Sequence, residues 1–149
     1  MDTGIKMVGM EEMLREMKKY PKKMERKGLR KATTAGSKVL VKAIKLVLKQ
    51  SGKGVSAPGQ PPGIHTGNLM KSTAYKMLRS RFPTEMTALI GHKTKSGGKG
   101  AKKLGAHAHL LERGTENMAA RPYFKPTFER KVNEMTDTVA RTLMEILYA

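Results

Sequence analysis

Apolar residues at Met10, Met13, Leu14 and Met17 recur at the spacing of one helix face. Tyr20-Pro21 ends that run, because proline lacks the N–H and clashes with the preceding turn. A longer helix is predicted over residues 22–49, where Leu29, Ala32, Thr33, Gly36, Leu40, Ala43, Ile44 and Val47 keep one face apolar. At 1.5 Å per residue it would be roughly 40 Å long. Gly36 weakens such a helix by about 1 kcal/mol relative to alanine, so it reads as the seat of a close neighbour.

The helical pattern stops at residue 50. Residues 51–67 (SGKGVSAPGQPPGIHTG) are rich in Gly, Pro and Ser and predict an extended loop. Two candidate strands follow. Residues 72–81 alternate imperfectly, residues 87–91 are short and apolar, and residues 81–85 would join them as a β-hairpin with a wide loop. Residues 93–105 (KTKSGGKGAKKLG) read as a flexible basic loop. Residues 106–112 form a short ordered segment and residues 113–115 a turn. Pro122 and Pro126 then bracket the start of a last helix, in which Phe128, Val132, Met135, Val139, Leu143 and Ile146 repeat every three to four positions. The order predicts an α+β fold in a single domain spanning 1–149: long N-terminal helices, a small antiparallel β-sheet with long loops, and a C-terminal helix.

Composition sharpens this. The 149 residues contain 30 Lys and Arg against 12 Asp and Glu, a formal net charge of +18, and no cysteine. Disulfides, thiolate metal sites and cysteine nucleophiles are thereby excluded. With 12 Met, no Trp, 3 Phe and 4 Tyr, the core must rest on aliphatics and thioethers. No apolar run approaches the roughly 20 residues of a membrane span, and no secretory signal is expected at the N-terminus. The charge excess sits entirely in residues 1–105, while residues 106–149 hold 6 basic and 6 acidic side chains. A polyanion or an acidic partner suits the first region, and protein packing suits the second. Lys38, Lys42, Lys45 and Lys49 form a stripe opposite the apolar face of the long helix, nearly continued upstream by Lys23, Lys27 and Lys31. Such a stripe attracts phosphates without reading sequence, or is simply a solvated face.

Catalytic signals are sparse, and the chain is not expected to be an enzyme or to carry a cofactor. The Gly- and Lys-rich runs fail the phosphate-loop pattern, and there is no Gly-x-Ser-x-Gly. If residues 106–112 were a strand, His107 and His109 would share a face, with Glu112 three residues on. That is a conceivable but incomplete metal site.

The most distinctive stretch runs from His107 to Thr115, with Leu111-Glu112-Arg113-Gly114-Thr115 at its end, and then from Met118 to Phe128, with Pro122-Tyr123-Phe124-Lys125-Pro126-Thr127-Phe128 at its end. Gly114 permits a positive φ or a close backbone approach, and the aromatics beside it predict a well-packed corner that anchors the last helix. With Thr66-Gly67-Asn68-Leu69 after a proline loop, this stretch resembles the tailed-bacteriophage tail-component family of head-to-tail joining proteins, also described as neck, tail-completion or minor tail proteins. The resemblance covers about residues 5–147. His107 stands where that family commonly has an aromatic, Tyr123 replaces a commoner Phe, and Arg113 occupies an often aromatic or small position.

The resemblance implies a virion structural subunit at the neck or top of the tail, assembled in the bacterial host cytoplasm. It implies a ring, hexameric in preference to dodecameric, that touches head-closure or connector proteins on one side and tail-tube or tail-terminator proteins on the other. Thr66, Gly67, Leu69, Leu111, Glu112, Gly114, Thr115, Pro122, Tyr123, Phe124, Pro126 and Phe128 would then serve assembly. Lys38, Lys42, Lys45 and Lys49 would face packaged DNA in the channel. The loops 51–67 and 93–105 would order against neighbouring subunits. A stand-alone, sequence-nonspecific nucleic-acid-binding protein is the alternative that charge alone supports, and a metal enzyme built on His107, His109 and Glu112 comes third.

Overall fold

Two long helices packed antiparallel carry the fold. In the computed structural model, which describes residues 10–19, 22–82, 85–93, 105 and 107–148, α1 spans Met10–Met17 and α2 spans Lys22–Gln50. They are followed by α3 (Asn68–Ser72), β1 (Thr73–Met77), β2 (Ala88–His92), α4 (Ala108–Arg113) and α5 (Phe124–Tyr148). The architecture is α+β, with long helices at both ends and one small antiparallel sheet between them.

The seam between α2 and α5 passes through Gly36. A methyl group placed there would lie 2.5 Å from Val139 Cγ2 and 3.1 Å from the Met135 carbonyl oxygen, so only glycine lets the helices approach this closely. On one side of this crossing Leu29 and Ala32 bury against Leu143, with Val139, Leu147 and Met86 around them. On the other, Leu40, Ile44 and Leu48 bury with Tyr123, flanked by Leu69, Ile90, Leu111, Phe128 and Met135. The apolar positions of both helix repeats thus meet in the interior.

β1 and β2 pair antiparallel from Thr73↔His92 to Met77↔Ala88. β1 is shorter than the sequence suggests, stopping at Met77 rather than residue 81, although the Leu78 N–H still donates to the Thr87 carbonyl at 2.8 Å. Thr73 and Ile90 lie on the face turned to the helices, while Leu89 on the opposite face is 56% exposed.

The loop 51–67 is folded back on itself. Ser51 Oγ lies 2.8 Å from the Leu48 carbonyl and 2.7 Å from that of Pro62. Lys53 bridges Ile64, and the Gly59 N–H donates to Ala120. The second expected loop, 93–105, falls outside the described residues except for Lys93 and Gly105. The short ordered segment containing His107 and His109 is a helical turn, so the strand on which the metal reading depended does not form.

Candidate functional site

Where α5 begins, residues from four elements converge. Glu112, on α4, turns its carboxylate toward the exposed donors of that helix start. Oε2 accepts the N–H groups of Tyr123 and Phe124, each at 3.0 Å, and Oε1 accepts that of Lys125 at 2.9 Å. The next residue is Pro126, which has no N–H to satisfy. One carboxylate therefore serves every early donor of α5 up to Pro126, in charge-assisted bonds aligned with the helix dipole.

The loop joining α4 to α5 has to double back to make this possible. Gly114 sits at φ 79° and ψ 177°, a region almost confined to glycine. A Cβ there would meet Ala120 N at 2.8 Å and the Met118 carbonyl oxygen at 2.9 Å. Thr115 and Met118 exchange backbone bonds of 2.8 and 3.2 Å, and the Arg121 N–H donates to the Leu111 carbonyl. The chain then enters α5 through Pro122.

Behind this joint lies a buried polar cluster. Tyr123 is 1% exposed, and its hydroxyl lies 2.6 Å from His92 Nε2. His92 Nδ1 lies 3.0 Å from Ser72 Oγ and 3.3 Å from Thr73 Oγ1. Both of those hydroxyls donate to the Leu69 carbonyl, at 2.7 and 3.0 Å. Their protons are thus committed, so they accept from Nδ1–H, and the Tyr123 hydroxyl donates to Nε2. The bonding network assigns a neutral, Nδ1-protonated imidazole. Burial lowers the His92 pKa first of all, and His107 lowers it further, against the Leu69 carbonyl and Glu112, which raise it. Burial and the Glu112 carboxylate push the Tyr123 phenol up. A buried phenol held in its protonated form is poorly suited to nucleophilic attack. The cluster ties the sheet end to the start of α5.

Beside it opens a cleft of about 210 Å³ between the 51–67 loop, α3 and α4. Thr66, Gly67, Leu69 and Leu111 line it together with the apolar Leu48 and Ile64. Ser56 and Arg121 also line it. Ser56 Oγ and Arg121 Nε are buried without a hydrogen-bond partner among the described residues, a state that costs about 1–3 kcal/mol per group.

The two sequence motifs are therefore neighbours in space, meeting at the Leu48 end of α2. Phe124 and Phe128 pack into the same core. Lys38, Lys42, Lys45 and Lys49 are not part of this site. They lie on the outer face of α2, with Lys45 half-buried and the others exposed, and make no ion pair among the described residues. His107 precedes the first turn of α4 and His109 lies within it, so their helical spacing separates them around the axis and Glu112 is committed to α5. Among the described residues no three His, Cys, Asp or Glu side chains form a metal-binding group. Sequence reasoning missed His92, Ser72 and Ser56, for no motif connects any of them to the joint, and gave no role to Arg121, which lies in the distinctive stretch directly before Pro122.

Among the described residues no helix is long and apolar enough to cross a membrane. No family model matches the chain, and no curated protein or solved structure is similar to it.

Proposed function

We propose that this chain is a structural subunit of a phage head-to-tail connector or neck ring, of the tail-completion or tail-terminator type. The observation that carries the reading is the joint at the start of α5. Glu112 of the Leu-Glu-x-Gly-Thr turn binds the backbone of Tyr123, Phe124 and Lys125 in the Pro-Tyr-Phe-Lys-Pro stretch, so the two halves of the family-like pattern form one rigid unit. Support also comes from the neutral balance of residues 106–149, which suits subunit contacts, beside an excess of +18 that suits an anionic channel content. The partners in this reading are further copies of the chain and the adjoining head and tail rings.

Mass-resolved size analysis of the purified chain, at low and high salt and with and without DNA, tests it. A closed hexamer or dodecamer formed without DNA is the expected result. A monomer at every concentration that binds duplex DNA with steep salt dependence would replace the ring with the stand-alone nucleic-acid-binding reading.

That second reading has one specific observation in its favour, a lysine stripe that makes no ion pair among the described residues. Lys38 to Lys49 covers eleven residues of helix, about 16 Å, a length over which duplex DNA carries about ten charges. Reversing Lys38 and Lys42 to Glu separates the roles. Lost DNA contact with assembly intact places the stripe toward DNA, and lost assembly places it at an acidic neighbour.

A further inference from the structure

The cleft at the Leu48 end of α2 and the turn at the far end of the β-hairpin are complementary. At about 210 Å³ the cleft is smaller than the roughly 300–1,000 Å³ of cofactor and drug-sized sites. It exceeds the roughly 150 Å³ that accommodates a benzene ring. It is the size for an anchoring side chain of a protein partner with a small group beside it. Its lining is mostly apolar, Arg121 supplies a guanidinium, Ser56 a hydroxyl, and among the described residues no carboxylate lines it. Arg121 Nε and Ser56 Oγ, on two of the lining residues, are buried with no hydrogen-bond partner among the described residues, so a carboxylate reaches them only by a small shift of these side chains. This donor set suits a carboxylate next to an aromatic or aliphatic group.

The opposite end of the same molecule presents that combination. Phe82 is 60% exposed, and the Glu85 N–H donates to its carbonyl at 3.3 Å, which holds the two residues side by side. Glu85 is exposed, forms no ion pair among the described residues, and is the one acid between residues 51 and 105. Met77, Leu78 and Arg79 at this end of the hairpin lie by Arg26 and Arg30, near the start of α2. From Arg30 to Leu48 is eighteen residues of helix, about 27 Å. Phe82 is thus far from the cleft of its own chain, and a contact between them joins two copies.

The geometry points to a docking contact between copies, in which Phe82 and Glu85 of one chain enter the cleft of the next. The Phe82 ring lies against Leu48, Ile64 and Leu69, and the Glu85 carboxylate binds Arg121 and Ser56. The contact is heterologous, so repeating it closes a ring when its rotation closes. It rests on the ring reading above and supplies the contact that reading requires.

The absence of cysteine makes a direct test possible. Arg81→Cys protein, with its single free thiol at the exposed residue beside Phe82, is mixed with Val55→Cys protein, with its single free thiol at an exposed residue of the cleft, under a mild oxidant that takes up the two electrons of disulfide formation. Asn133→Cys, exposed on α5, replaces Val55→Cys in one control, and Tyr148→Cys replaces Arg81→Cys in another. The docking contact predicts disulfide formation at least about tenfold faster for the hairpin–cleft pair than for either control. Phe82→Ala in the first protein removes the excess. Arg121→Glu in the second also removes it, and Glu85→Arg in the first then restores it. Equal rates in all pairs, a faster Tyr148→Cys pair, or no rescue by the charge exchange overturns the contact. A closed hexamer or dodecamer that shows no hairpin–cleft excess removes this contact and leaves the ring reading standing.

Discussion

The Tyr123 hydroxyl and His92 Nε2 lie 2.6 Å apart across 31 residues of chain, and burial holds both groups in their neutral forms. The sign of each shift fixes a pH window. The His92 pKa is lowered, so the unfolded chain takes up this proton first as pH falls. Its contribution to stability is complete above the ordinary value of about 6.5 and is lost as pH drops through the folded value. The Tyr123 pKa is raised, so its contribution is complete below about 10 and is lost as pH rises toward the folded value. Thermal unfolding followed against pH should show a plateau between these limits. Tyr123→Phe leaves Nε2 without its donor, costs about 1–2 kcal/mol on the plateau, and flattens the alkaline decline. An alkaline limb of unchanged depth in Tyr123→Phe would count against this assignment.

Glu112 is expected to matter through its geometry. Glu112→Ala exposes three backbone donors at the start of α5 and should lower stability by about 2 kcal/mol. Glu112→Gln keeps acceptor atoms but loses the charge and should recover part of that loss. Amide hydrogen exchange reads this directly, with protection lost first at Tyr123, Phe124 and Lys125. Uniform loss along all of α5 would show that the carboxylate does not act as a local cap.

At Gly114 any side chain conflicts with both the dihedral angles and the space. Gly114→Ala should cost about 2–3 kcal/mol, since the backbone conformation is strained for other residues and Ala120 and the Met118 carbonyl block the Cβ. Chemical denaturation measures it, and a variant as stable as wild type would contradict the turn as described.

Gly36 makes a different prediction. In an isolated helix Gly36→Ala would gain about 1 kcal/mol. Here the methyl group meets Val139, so the substitution should destabilise. Combining Gly36→Ala with Val139→Ala makes room for the methyl group, and the pair should be more stable than the two separate losses add up to. Simple additivity in the double-mutant cycle would place the contact elsewhere.

How far the chain could be read from sequence follows from element length. α2 and α5 were legible because Leu29 through Leu48 and Phe128 through Leu143 repeat over several turns, enough for a period to show. The hairpin was legible in outline, since two apolar runs flank Phe82-Pro83. α4 has six residues and α3 five, too few to separate helical from alternating spacing, so the His107–His109 pair could be taken as neighbours on a strand. Gly114 declared its turn through residue type. The partnership of His92 with Tyr123 did not, because a single histidine after a short apolar strand gives no sign of what it will face. Ser56 and Arg121 are likewise ordinary in sequence, and only the cleft brings them together.

The pairing of α2 with α5 also has a consequence for biosynthesis. Gly36 and Val139, which touch at the seam, are separated by about 100 residues, so at roughly 5–20 residues per second α2 leaves the ribosome some 5–20 s before its partner. Throughout that interval the α5 side chains that bury Leu29, Leu40 and Ile44 are missing, and only the shorter elements between the two helices can cover them. The nascent chain therefore presents a long, basic, amphipathic helix to the cell before it presents a folded protein. Truncation anywhere before α5 leaves that helix without its main partner, so incomplete chains should be client-like: prone to chaperone capture and to clearance by proteases.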